Sequence, residues 1–423
     1  MNRFDYIIVG AGSAGCVLAN RLSADRSVSV CLIEAGPVDS NPLIHAPFGF
    51  SLLAENKKIN WRFETIPQQQ LKGRRSYQPR GRVLGGSSSV NAMVYARGTP
   101  ADYDRWAEAG AAGWSYRDVL PYFKRSEDQE RGENEFHGTG GPLAVSDLRY
   151  KNPLSQMFID AALHLGFPVN DDFNGASQEG VGFYQVTQRD GRRCSAAAAY
   201  LAPVLGRSNL GVVTGAHVEK VVIDGKRAVG VQYHDGDREV TLGANREVLL
   251  SAGALQSPQL LMLSGIGAAD HLKEHGIEIV HDSPGVGENL QDHFDYTAIR
   301  RVTSSHAMGY TLTRTLTAIP DFFRYRKGEG RLTSTLAEAG GFLRTSSEET
   351  APDIQLHFVP GIVDDHGRKM HFVAGVSCHV CVLHPESRGR VTLLDADPRS
   401  APGIDPRFLS AGDDLDRTLK GAR

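Results

Sequence analysis

The residues that most directly imply chemistry lie near the start of the chain. Gly10-Ala11-Gly12-Ser13-Ala14-Gly15 reads G-x-G-x-x-G. It follows Tyr6-Ile7-Ile8-Val9, an apolar run suited to a strand buried on both faces, and precedes Cys16 to Leu22, whose apolar spacing is helical. In that context Gly10 permits the tight turn, Gly12 lets backbone approach a pyrophosphate, and Gly15 lets helix and strand pack closely. Phosphates would sit at the helix N-terminus, where free N–H groups and the helix dipole favour negative charge. A second buried strand, Val28 to Ile33, ends at Glu34, placed to bond a ribose hydroxyl. The motif predicts a bound dinucleotide but does not choose between a flavin and a nicotinamide.

Further segments make the choice. Gly81 to Tyr95 (GRVLGGSSSVNAMVY) and Gly253 to Gly267 (GALQSPQLLMLSGIG) resemble the two signatures of the glucose–methanol–choline (GMC) oxidoreductases. Gly285 to His293 (GVGENLQDH) and Ser387-Arg388-Gly389-Arg390 are similar to further landmarks of that family. The resemblance covers the whole chain and is nearest to the alkane-pathway alcohol dehydrogenases and the choline dehydrogenases. Asn41-Pro42-Leu43-Ile44-His45 and Asp364-Asp365-His366-Gly367 lean towards the former.

The resemblance implies FAD, with cofactor contacts at Gly10, Gly12, Ser13, Ala14, Gly15, Glu34, Ala35, Arg82, Gly86, Ser87, Asn91, Ala92, Met93, Val94 and Val218. Val218 would meet the adenine end. Gly85-Gly86 would let backbone pass close to a flat ring. Members that bond FAD covalently carry a histidine at position 90; here it is Val90, which has no nucleophilic atom, so FAD is expected to be non-covalent. The chain departs from its relatives at Ala196 and Ala198, where Ser and Arg are usual.

Alcohol oxidation needs a base for the hydroxyl proton. The resemblance places that base in a His-Pro-Val-Gly-Thr-like segment, partnered by a second His or Asn, and neither occurs here. His384-Pro385 runs into the Ser387 landmark and is read as a decoy. His293 is expected to hold a domain boundary together and Asp295 to face the substrate; both are weak catalytic candidates. Asp413 to Arg423 reads as the opening of a helix without a C-cap, so the chain is expected to be truncated, and inactive for that reason.

The elements that must position these residues predict an α/β fold. A Rossmann-like FAD domain is expected from residues 1–145 and 195–295, and an α+β substrate domain on an antiparallel sheet from 146–194 and 296–423. The stretch 101–125 reads as helical. Closely spaced strand runs at 212–213, 218–223, 229–233, 239–242 and 248–251 read as a β insertion feeding back to the main sheet. The 423 residues are 41% apolar and 22% charged, typical of a globular protein, and a net charge of −3 argues against nucleic acid. Five cysteines are too sparse for a disulfide framework, and Cys378-x-x-Cys381 reads as structural. A strand starts almost at Met1, so a cytoplasmic location is expected, with association at the inner face of the membrane left open.

The implied activity is FAD-dependent oxidation of primary, aliphatic alcohols to aldehydes, with an acceptor other than NAD (quinone, dye or oxygen). Choline dehydrogenase, a hydroxynitrile-lyase-like non-redox FAD protein and a non-catalytic fragment remain as alternatives.

Overall fold

The computed structural model describes residues 3–235, 238–308 and 318–423. In chain order the elements that position the site are β1 (Arg3–Val9), α1 (Ser13–Leu22), β2 (Val30–Glu34), β3 (Gly180–Phe183), β4 (Leu210–Thr214), β5 (His217–Asp224), β6 (Arg227–Asp235), β7 (Arg238–Leu250), α2 (Gly253–Leu263), β8 (Asp295–Arg301), β9 (Ala339–Leu343), β10 (Ile354–Val359) and β11 (Gly375–Val382).

Two sheets carry the molecule. The first has the order β4-β2-β1-β7-β6-β5. Its β4, β2, β1 and β7 are parallel neighbours, while β6 and β5 continue it antiparallel. Ile7, Ile8, Cys31 and Leu32 are fully buried, as expected of parallel strands covered on both faces. One of those faces carries α1, whose Cys16 and Ala19 share a core with Leu84 and Ala197. The second sheet, β8-β11-β10-β9-β3, is antiparallel throughout. Strands of the first sheet come from 3–34 and 210–250, and those of the second from 180–183 and 295–382.

The structure corrects local details. The expected helix over 101–125 is two helices, Pro100–Glu108 and Tyr116–Ser126. A capping box at Thr99 starts the first, Gly110 and Gly113, both at positive φ, lie in the break, and a second capping box at Ser115 starts the second. The runs 239–242 and 248–251 are not separate strands. They merge into β7, which pairs β6 with its first half and β1 with its second.

Two of the sequence landmarks pair with each other. Glu288–Leu290 lies antiparallel to Gly389–Thr392, with Leu290 opposite Gly389. The neighbouring Val391 and Ile404 pack on Phe63 and Leu255, the latter from α2. A buried ionic cluster staples the 97–172 region. Arg97 reaches Glu127 at 2.9 Å, and His137 bridges Glu127 at 3.1 Å and Asp172 at 3.0 Å.

Candidate cofactor groove and substrate cleft

Helix α1 starts at Gly12 with no side-chain cap and no acid in its first turn. Helix α2 starts at Ala252 in the same way. Both N-termini border one groove of about 500 Å³, so their free N–H groups make it a place for anions. Its wall holds Gly10, Gly12, Ser13, Ala14, Glu34, Ala35, Gly86, Ser87 and Val218.

The glycines divide by what a side chain would meet. A Cβ on Gly15 would fall 1.9 Å from the Gly10 carbonyl oxygen, and one on Gly86 would fall 2.7 Å from the Gly12 Cα. Those two are demanded by the protein's own packing. A Cβ on Gly12 would meet nothing nearer than the Ser251 oxygen at 3.9 Å. The protein does not need glycine there; a ligand lying against the backbone does. The cradle therefore fits a dinucleotide.

Glu34 closes the turn. Its two carboxylate oxygens accept from the Ala11 and Gly36 N–H groups, each at 2.9 Å. Burial pushes this carboxyl up to about 7, against the pull of those N–H groups and of Arg82. Each oxygen keeps a further lone pair for a hydroxyl donor.

Some expected contacts lie outside that wall. Arg82 stands behind it, with its guanidinium 4.8 Å over the Trp61 ring. Asn91, Ala92, Met93 and Val94 do not line the groove. Asn91 Oδ1 accepts from the Met93 N–H at 3.1 Å and from Arg193 Nη1 at 2.8 Å. Met93, at a φ of 59°, is buried with Leu148 and Val186. Ala196 and Ala197 lie in the α1 core, and the Ala196 N–H donates to Ser88 Oγ at 2.9 Å.

Sequence reasoning missed Trp61, Arg80 and His217, all in the groove wall. Trp61 and His217 meet edge to face at 5.5 Å, and burial holds the His217 pKa below its ordinary value. His217 directly precedes Val218 in β5, a signal that could have been used.

A second cleft, of about 630 Å³, holds His293, Asp295, Thr297, His366 and His379. Arg80 belongs to both walls, so groove and cleft adjoin. Asp295 Oδ2 lies 2.7 Å from His379 Nδ1. His293 is open on its cleft side, yet the surrounding protein desolvates it and lowers its pKa. His384 lines neither space. Its Nε2 sits 2.6 Å from Asp102 Oδ1. Burial alone would raise Asp102; the bonds from His384 and Thr99 outweigh it and hold the carboxyl down to about 2. Burial also pushes the Cys378 thiol up to about 11 and Cys381 well above the ordinary thiol value, which opposes thiolate chemistry.

A parallel sheet with a glycine turn and an anion-binding helix N-terminus, beside an antiparallel sheet and a cleft of protonatable groups, defines a dinucleotide-dependent enzyme. Residues 4–295 match the GMC oxidoreductase family model. The chain is 50% identical to an alcohol dehydrogenase [acceptor] of Pseudomonas putida over 99% of its own length and 77% of that protein. It is 43% identical to an oxygen-dependent choline dehydrogenase of Brucella melitensis, over 97% of the chain and 74% of that protein. Among solved structures it resembles pyridoxine 4-oxidase from Mesorbium loti, with a TM-score of 0.86 and 32% identity over 99% of this chain and 79% of that one. An Aspergillus oryzae formate oxidase variant gives a TM-score of 0.90 and 28% identity over 100% and 80%. The chain belongs to the GMC oxidoreductase family, and FAD is its cofactor.

Proposed function

We propose that the protein oxidises primary aliphatic alcohols to aldehydes and passes the electrons to an acceptor other than NAD, with His293 in the cleft, rather than the missing His-Pro-Val-Gly-Thr-like segment, as the first candidate for the base. The observation that carries this reading is the shared Arg80 wall, which sets a cleft of protonatable side chains against the cofactor groove. FAD, bound through the Gly10 to Gly15 cradle, Glu34 and the Gly86-Ser87 turn, supplies the hydride acceptor. It is held without a covalent bond. Asn91 to Val94 shape the flavin end from behind, through the Arg193 bond to Asn91. The 50% identity to an alcohol dehydrogenase [acceptor] supports the alcohol and the acceptor type.

Choline is the second reading, because Asp295 faces the cleft. The His379 contact weighs against it. A carboxylate already paired is a weaker anchor for an ammonium group than a free one.

The assay is dye reduction by the FAD-loaded protein with octanol, choline and glucose. Octanol is expected to be preferred, and a preference for glucose would sink the reading. Flavin bleaching by octanol excludes a lyase, which would leave the flavin oxidised.

A cytoplasmic location with membrane-surface association completes the reading. No helix among the described residues is long and apolar enough to cross a membrane. The helix Ala318–Tyr325 exposes Phe322 and Phe323 beside Arg324, and Arg326 and Lys327 follow. Apolar rings edged by cations suit an anionic lipid surface. Co-sedimentation with phosphatidylserine vesicles, lost on replacing both phenylalanines by Ser, tests it.

A further inference from the structure

Beside the cleft lies a smaller cavity of about 70 Å³, between the turn carrying Phe48, Phe50 and Ser51 and the loop 361–373. Most of its wall is apolar: Phe48, Phe50, Met308, Ile362, Met370 and Val373. Val363, His366 and Lys369 line both this cavity and the cleft, so the two spaces share a partition.

The basic side chains in the wall are accounted for. Lys369 lies 3.7 Å from Asp364, and His371 Nε2 lies 3.0 Å from the same carboxylate. Burial lowers the His366 pKa, which favours its neutral form. The loop is also held in shape. Asp365, His366 and Gly367 take positive φ values of 50°, 54° and 88°, a strained turn that needs outside support. Arg368 supplies it, binding Glu64 at 2.7 Å and Asp365 at 2.8 Å while stacking 4.2 Å over the Tyr77 ring. Phe48, Phe50 and Val363 pack on the buried Leu336 and Val359. The cavity is therefore preformed and has little to offer a charged or hydroxylated group.

We infer that this cavity receives the alkyl tail of the substrate alcohol, leaving the hydroxyl end in the cleft near His293 and Asp295. The inference rests on the alcohol reading above and names the residues that would set chain-length preference. Each methylene moved from water into such a wall favours binding by roughly fourfold. Val363 stands at the partition, and Met370, 52% exposed, forms an outer wall.

The test uses the FAD-loaded protein and two variants, Val363→Phe to block the partition and Met370→Ala to open the outer wall. Turnover is measured with butanol and octanol. Binding of acetamide and octanamide, which do not react, is followed by flavin absorbance. Val363→Phe is expected to cut octanol kcat/KM and octanamide affinity about tenfold or more relative to butanol and acetamide. Met370→Ala is expected to move the preference towards longer alcohols, and it decides the matter if Val363→Phe does not fold. Chain-length profiles unchanged in the folded variants, or octanamide binding no tighter than acetamide in the parent protein, overturn the inference. Tight octanamide binding that Val363→Phe weakens, in a protein that oxidises no alcohol, upholds the cavity and overturns the alcohol reading instead.

Discussion

His379 Nδ1 lies 2.7 Å from Asp295 Oδ2 across the neighbouring strands β8 and β11, with Thr297 Oγ1 at 3.2 Å from the same nitrogen. Thr297 is directly opposite His379 in register and Asp295 is two residues along, so the pleat sets all three on one face. This geometry makes Asp295 a partner of His379 rather than a free anion in the cleft. Asp295→Asn should leave octanol kcat/KM within about threefold, and choline should stay about tenfold or more below octanol in both forms. Choline turnover that matches octanol and collapses in the variant would instead show Asp295 to be the ammonium anchor.

Gly12 and Gly15 should fail in opposite ways. A Gly12→Leu side chain enters the groove and meets no protein atom near its Cβ. The variant should fold and melt like the parent without cofactor, yet bind FAD about a hundredfold more weakly or worse. The Cβ of Gly15→Ala would fall on the Gly10 carbonyl oxygen. That change should cost about 3 kcal/mol of stability before any ligand is added. Melts without FAD and flavin absorbance after desalting separate the two. A normal flavin spectrum in Gly12→Leu would refute the cradle.

The flavin is proposed to be held without a covalent bond, and this can be tested directly. Val90 packs against Ile44, Leu53, Ile59 and Val83, and valine offers no atom for a flavin bond. Acid precipitation of the FAD-loaded protein should leave the yellow colour in the supernatant. Colour retained in the pellet would mean a covalent link at another residue.

The cradle was legible in the sequence because its demands are local. A strand, a turn and a helix follow one another within residues 3–22, and the Gly15 contact with the Gly10 carbonyl lies inside that segment. The second signature was legible as family likeness, and its physical role is clear only in the fold, where α2 brings a second uncapped N-terminus to the same groove. Trp61 and Arg80 were not legible. They come from an irregular stretch whose path is set by distant strands, so no periodicity marks them. Likewise nothing local tells that His384 will meet Asp102, 282 positions earlier, or that β11 will lay His379 beside Asp295. The split of 101–125 is marked locally, by Gly110 and Gly113 at positive φ and by the Ser115 capping box.

The buried His137 should make stability depend on pH in the alkaline range. Burial alone would lower its pKa; the bonds to Asp172 and Glu127 outweigh that and raise it from 6.5 to about 9. Against the opposing effect of burial, the bond from His137 holds the Asp172 carboxyl below its ordinary value, and Arg97 shares Glu127. A histidine whose folded pKa lies above its unfolded value binds its proton more tightly in the native state. Its contribution is therefore complete below pH 6.5 and disappears as pH rises through about 9. The shift corresponds to about 3 kcal/mol for a group that is 3% exposed. Urea unfolding of the parent should show stability falling by up to about that amount between neutral pH and the alkaline end of the window. His137→Gln keeps hydrogen-bonding capacity without the proton, so it should be less stable at neutral pH and nearly flat across the window. Parallel stability curves for the two proteins would show that the imidazole is not held charged between Glu127 and Asp172.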